Sequence, residues 1–272
     1  MTTLVAIPAI AAHRPVVELS LAQVRNQLTN AKFLIVTPDT TAFAGLEKLG
    51  VEVHHDNVYA PVDKRGLTQF LAPGKRHLPG WYYQQLLKYA VISASSSQRT
   101  LILDADTVVV RDIRAEPGTF FTARERNEGY FEHYRKLMGR APSLAASAIT
   151  NFMWFESDAL REMLAQIEKR HGQLWWRAIL EVANGIAIET AFSEYETYAN
   201  WYAAETGQHV EIPINMFRRG DLLLKHPSDY QRVLSATSRK GYDAVAFELN
   251  HRSSSLHRIG MRAVLHLGLK VW

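Results

Sequence analysis

The sequence predicts an α/β protein, one domain with a mostly parallel central sheet flanked by helices. Short aliphatic runs alternate with helical patterns through the first 110 residues, an order that brings parallel strands together with helices on their faces. The run Leu101-Ile102-Leu103 ends at an acidic pair, Asp104 and Asp106, as a buried strand ends at a turn. No repeat, low-complexity stretch or linker divides the 272 residues, a length that one large α/β domain can fill.

The elements follow in order. Residues 4–8 read as a strand, 17–28 as a helix and 33–36 as a second strand, which is β-α-β order. Thr37-Pro38-Asp39 ends that strand, residues 41–49 suit a short helix stopped by Gly50, and 51–54 make a third strand. Residues 59–79 hold Pro61, Gly66, Pro73, Gly74 and Pro79 among Lys64, Arg65, Lys75, Arg76 and His77, which predicts a mobile surface loop. Residues 80–94 predict a helix leading into the acidic strand. Beyond it, 118–123 and 149–155 predict strands on either side of a polar, basic segment, 124–140. Residues 158–170 form an amphipathic helix with Leu160, Met163, Leu164 and Ile167 on one face and Ser157 as its N-cap. Residues 175–181 and 193–206 predict two more helices, and 209–214 and 244–249 late strands.

Composition excludes several function classes. With no cysteine there are no disulfides, zinc fingers or iron–sulfur clusters, which suits a reducing cytoplasm. The first eight residues lack the basic and apolar regions of a signal peptide, and no run reaches the ~18 apolar residues of a membrane span. The net charge of +4 is uneven: residues 250–272 carry Arg252, Arg258, Arg262 and Lys270 and no acid. With Leu256, Ile259, Met261, Val264 and Leu265 interleaved, this tail fits either a terminal element packed on the body or a peripheral contact with the anionic inner face of the membrane. No module that binds nucleic acid is visible, and no nucleic-acid partner is expected.

The acid pair is the strongest chemical signal. Parallel strands collect ligands at their carboxyl ends, which puts Asp104 and Asp106 at a site mouth. Burying two like charges costs several kcal/mol unless cations or donors compensate. A divalent ion meets that need, and hard oxygen ligands favour Mg²⁺ or Mn²⁺ over zinc. The alternative is a plain turn whose aspartates cap nearby amides.

With a β-α-β half ahead of an Asp-x-Asp at a strand end, the chain resembles the GT-A-fold glycosyltransferases, which use nucleotide-sugar donors. The resemblance extends over Gly80-Trp81-Tyr82-Tyr83-Gln84-Gln85-Leu86-Leu87-Lys88, Leu103-Asp104-Ala105-Asp106-Thr107, Ile149-Thr150-Asn151-Phe152-Met153-Trp154-Phe155 and Phe192-Ser193-Glu194-Tyr195-Glu196-Thr197-Tyr198. That ordered set is similar to a bacterial family of GT-A-like proteins linked to surface polysaccharides. It implies a single GT-A-like, Rossmann-like domain over residues 1–272, with a nucleotide-binding half at 1–110 and an acceptor-binding half at 111–272. The implied reaction moves a sugar from a nucleotide-diphosphate sugar, with UDP the expected nucleotide, to a hydroxyl of a glycan or glycolipid.

The resemblance also implies roles. Asp106 would bind the Mn²⁺ or Mg²⁺ that bridges the donor diphosphate, with Asp104 on the ribose or a metal-bound water. A late histidine supplies a third ligand in many such enzymes; His251 is the candidate, with His226, His257 and His266 as competitors. Pro8 and Ala9 after the first strand, and Thr37 and Asp39 after the second, occupy the positions that seat base and ribose. Trp81, Tyr82, Gln84 and Gln85 suit a hydroxylated ring, Lys88 a phosphate, and Asn151 a substrate contact. Ser193-x-x-Glu196 fits a capping box, which leaves Glu194 at the first helical position, where many inverting enzymes of this fold place their catalytic base. The segment His266-Leu267-Gly268-Leu269-Lys270-Val271-Trp272 is similar to a sequence near the end of some retaining transferases, with shorter spacings and Val271 in place of proline, so the stereochemistry stays open with inversion favoured. Two rival readings stand beside this one. In a haloacid-dehalogenase-like phosphatase Asp104 would be the nucleophile, though three strands precede it and residues 108–110 lack the usual glycine. The other is a nucleotide-sugar-binding protein without catalysis.

Overall fold

The computed structural model describes residues 2–224 and 229–248. His226, His251, His257, His266 and the basic tail lie outside the described residues. Five strands form the central sheet: β1 (Thr3–Pro8), β2 (Lys32–Thr37), β3 (Val51–His55), β4 (Arg99–Leu103) and β7 (Phe152–Glu156), in the order β3-β2-β1-β4-β7. The first four are mutually parallel, and β7 runs antiparallel to β4 with Leu103 opposite Phe152. β5 (Thr107–Val109), β9 (Met216–Phe217) and β10 (Ala244–Ala246) make a small second sheet in the order β5-β10-β9, while β6 (Thr119–Thr122) pairs with β8 (Val210–Pro213). The α/β class and the mostly parallel sheet flanked by helices are as the sequence predicts.

Period-two side chains explain why both faces of the sheet are covered. Leu4, Ala6, Leu34, Val36, Ile102, Met153 and Phe155 enter one apolar cluster with α3 (Pro79–Ala94), α5 (Ser157–His171), α6 (Trp175–Asn184) and α7 (Glu194–Thr206). Val5, Ile7, Phe33, Ile35, Leu101, Leu103, Phe152 and Trp154 enter the other, with α1 (Arg14–Gln27). Because β1, β2 and β4 are parallel, Pro8, Val36 and Asp104 end at the same edge of the sheet. That edge becomes the site.

Several local expectations are corrected. Residues 41–49 hold two 3-10 turns, Thr40–Phe43 and Leu46–Leu49, separated at Gly45, whose φ of 93° an α-helix cannot accommodate. The 59–79 segment is a chain of short helical turns including α2 (Lys64–Leu67), anchored by buried Leu67 and Leu71. The polar segment 124–140 contains α4 (Glu128–Met138), capped by the Asn127 side chain and closed by left-handed Gly139. α8 (Tyr230–Arg239) is a further helix outside the sequence expectation. Ser157 is not a cap: Glu156 holds the N-cap position of α5, and buried Ser157 instead lies 3.4 Å from the Thr100 hydroxyl. Only half of the capping box forms at α7. The Ser193 hydroxyl accepts from the Glu196 amide at 3.2 Å, whereas the Glu196 carboxylate turns to Ser147, the Ala148 amide and Asn200.

Candidate active site

A cleft of about 1080 Å³ opens at the carboxyl ends of β1, β2 and β4. Its walls come from three kinds of element. The loop after β1 brings Pro8, Ala9, Ile10 and His13, and the turn after β2 brings Pro38. α3 presents Trp81, Gln84, Gln85 and Lys88, spaced three and four residues apart and so on one helix face, while Tyr82, Leu86 and Tyr89 of the same helix enter the core. The start of α7 brings Ser193, Glu194 and Tyr195.

At the centre is a buried cation between acids. Lys88, 2 % exposed, donates from Nζ to Asp104 Oδ1 and to Glu194 Oε1, both at 2.5 Å, and to the Tyr195 hydroxyl at 3.2 Å. The Tyr195 hydroxyl in turn donates to Asp104 Oδ1 at 2.9 Å. Burial pulls the Lys88 ammonium down, but Asp104 and Glu194 outweigh it and hold the group above the ordinary lysine value. Burial raises the Glu194 carboxyl above the usual range, opposed by Lys88 and reinforced by Asp104. Asp106 is pushed up to about 6, first by burial and then by Asp104, with the Thr107 hydroxyl opposing from 3.2 Å. His13 is lowered by burial, with Asp104 opposing.

The residues singled out from the sequence divide accordingly. Pro8, Ala9, Trp81, Gln84, Gln85, Lys88, Asp104, Asp106, Asn151 and Glu194 all line the cleft. Three others are used elsewhere. Thr37 is fully buried and Asp39 caps the next turn, accepting from the Thr41 and Ala42 amides, so the end of β2 contributes Val36 and Pro38 instead. Tyr82 is sealed in the core, its hydroxyl donating to the Glu189 carbonyl at 2.7 Å, so it cannot meet a sugar. Lys88 is committed to two carboxylates rather than presented to a phosphate. Gln85 holds the site together, its Oε1 accepting from the Glu194 amide at 3.2 Å. His251 lies outside the described residues.

Other cleft residues escaped the sequence reading. His13 follows β1, a position that could have been flagged from the strand end alone, and Tyr195 adjoins Glu194 in a segment already singled out. Tyr130, on the unforeseen α4, stacks near-parallel to Trp81 at 6.3 Å and 16°. Arg218 is ion-paired with Glu125, and both line the mouth together with Lys64 and Arg65.

The donor chemistry fits a hard divalent cation. Among the described residues no group of three or more His, Cys, Asp or Glu is arranged to hold a metal, so the protein would offer Asp104 and Asp106. Two carboxylates, completed by phosphate oxygens and water, are a usual set for Mg²⁺.

Residues 15–226 match DUF6492, a family of unknown function. The chain belongs to that family. No curated protein matches the chain. Among solved structures, the galactosyltransferase LgtC, in complex with donor and acceptor sugar analogs, is similar at 10% identity and a TM-score of 0.46, over 97% of this chain and 95% of that one. The apo-form glycosyltransferase GlyE of Streptococcus pneumoniae TIGR4 is similar at 10% identity and a TM-score of 0.44, over 99% of this chain and 62% of that one. Mouse xyloside xylosyltransferase 1 is similar at 15% identity and a TM-score of 0.39, over 93% of this chain and 99% of that one.

Proposed function

We propose that this protein is a metal-dependent glycosyltransferase that moves a sugar from a nucleotide-diphosphate sugar, with UDP the first nucleotide to try, to a hydroxyl of a glycan or glycolipid. The observation that carries the reading is the acid pair at the end of β4, which lines a large cleft together with Glu194, whose carboxylate shares the Lys88 ammonium with Asp104. Asp104 and Asp106 would hold Mn²⁺ or Mg²⁺. Bound there, the ion supplies Lewis-acid stabilisation for negative charge developing on the departing diphosphate.

The chain's own groups supply the rest. Pro8, Ala9, Pro38 and His13 form the wall nearest the ends of β1 and β2, where base and ribose would lie. Trp81 and Gln84 line the part of the cleft where the sugar would lie, an aromatic and an amide group that suit a hydroxylated ring. The Glu194 oxygen that Lys88 does not hold would take the acceptor hydroxyl proton, from a carboxyl that burial raises above the usual range against the opposing charge of Lys88. Lys88 bridges that carboxylate and Asp104, a cation between the two negative groups. A base on the acceptor side favours inversion. The phosphatase reading gains no support, since Asp104 follows the fourth strand of the chain and the segment after Asp106 returns as β5 to pair with β10.

A place in bacterial surface-polysaccharide synthesis follows from the sequence resemblance, and a peripheral contact with the inner face of the membrane from the basic tail, residues 250–272; both belong to the same proposal. Among the described residues no helix is long and apolar enough to cross a membrane. Incubation with a panel of UDP- and GDP-sugars, Mn²⁺ and glycan or glycolipid acceptors, reading release of nucleoside diphosphate, tests the activity. Turnover of one donor that is lost in Glu194→Gln while donor binding persists is expected. Full transfer by that variant would remove Glu194 as the base, and no turnover of any donor would count against a transferase.

A further inference from the structure

Asn151 is one of two non-glycine residues with positive φ among the described residues, at 60°. Asparagine tolerates this left-handed region better than most side chains, but the conformation is uncommon enough to call for a reason. Here it lets the backbone break just before β7, so that the Asn151 carbonyl accepts from the Asp104 amide at 2.8 Å. The side chain then turns to the other end of the acidic turn, where Nδ2 donates to Thr107 Oγ1 at 3.1 Å. A hydroxyl has one proton, and with its oxygen accepting from Asn151 that proton goes to Asp106 Oδ1 at 3.2 Å.

The turn's backbone is fixed independently. The Thr107 amide donates to the Asp104 carbonyl at 3.0 Å, the Asp106 carbonyl accepts from the Phe247 amide at 2.6 Å, and the Thr107 carbonyl accepts from the Ser20 hydroxyl. What remains free is the rotation of the Asp106 carboxylate. The Thr107 hydroxyl, oriented by Asn151, is the group that sets it.

We propose that Asn151 is a positioning residue that acts through Thr107 to hold the Asp106 carboxylate in the orientation that receives a divalent cation. This rests on the reading of the acid pair as the cation site, and it gives Asn151 a task distinct from contact with substrate. Partners that orient a metal ligand usually change affinity for the ion by about 10- to 100-fold when removed.

The test is Mn²⁺ binding in the presence of UDP, read from the electron paramagnetic resonance signal of free Mn²⁺, with no turnover needed. Asn151→Gly keeps the left-handed backbone and removes the amide; Thr107→Val removes the hydroxyl at near-constant shape; Thr107→Ser restores it. The wild type and Thr107→Ser should bind alike. Asn151→Gly and Thr107→Val should each bind roughly 10- to 100-fold more weakly, and the double variant no more weakly than Thr107→Val alone. Unchanged affinity in Asn151→Gly while the wild type binds overturns the proposal and leaves the cation site standing, and so do losses that add in the double variant, because a single relay cannot be cut twice. Failure of the wild type itself to take up Mn²⁺ removes the cation site and the proposal together.

Discussion

Replacing Lys88 with methionine probes the centre of the site, because the ammonium lies 2.5 Å from both Asp104 and Glu194 and is 2 % exposed. Methionine keeps an unbranched apolar stem but leaves Glu194, 3 % exposed, with no cation. Breaking a buried ion pair by removing one partner costs about 3–5 kcal/mol. An unfolding entropy of about 2.1 cal/mol/K per residue makes that a fall in Tm of roughly 5–9 °C for a chain of this length. The loss should also depend on pH. Without Lys88 the Glu194 carboxyl, already raised by burial, rises further. A carboxyl raised in the folded state contributes stability that is present below its unfolded value, about 4.3, and lost as pH rises through the folded value. The deficit of the variant should therefore be smallest near pH 5 and largest near pH 8. Differential scanning calorimetry of both proteins across that range measures it. A fall of less than about 2 °C at pH 8, against the range set by the buried-pair cost, would mean that Lys88 is not what compensates the buried carboxylates, as would a deficit that does not change with pH.

Two further outcomes follow from α7. Glu196 is pushed up to about 7 by burial, with the hydrogen bonds from Ser147, Ala148 and Asn200 opposing. The raised value means that the wild type loses stability as pH climbs from the unfolded carboxyl value to about 7, by at most about 4 kcal/mol at ~1.4 kcal/mol per pKa unit. Glu196→Gln should flatten that slope in Tm, and an unchanged slope would assign the pH dependence to another group. Ser193→Ala removes the cap that accepts from the Glu196 amide and should cost about 1 kcal/mol in urea unfolding, within the usual range for caps. No loss would mean that tertiary contacts alone hold the start of α7.

The sequence shows the parts of this protein whose signals are local. β1, β2, β3 and β4 are aliphatic runs bounded by turn residues, and Asp104-Ala105-Asp106 marks the end of β4 without reference to anything distant. Ser193 was legible as a cap for the same reason. Long-range pairings leave no such trace. β7 reads like its parallel neighbours because it is buried on both faces, and only its pairing with β4 shows that it runs the other way. The meeting of Lys88 with Glu194, 106 positions apart, has no local pattern, and a buried lysine reads from sequence as a solvated one. α4 was hidden by its charges, although Phe131, Tyr134 and Leu137 carry a helical stripe between Asn127 and Gly139. Tyr82 shows the converse limit. An aromatic beside the cleft-facing Trp81 on α3 turns about 100° away from it on a helix, and here that rotation puts it in the core.

In the proposed reaction Asp104 and Asp106 hold a divalent cation for a nucleoside diphosphate. Thermal denaturation with UDP, with and without Mn²⁺, tests it most directly, since a ligand bound only by the folded state raises Tm by mass action. UDP with Mn²⁺ should raise the Tm of the wild type, neither should do so fully alone, and Asp106→Ala should abolish the joint effect. An equal rise with UDP when Mn²⁺ is chelated, or an undiminished joint rise in Asp106→Ala, would contradict it.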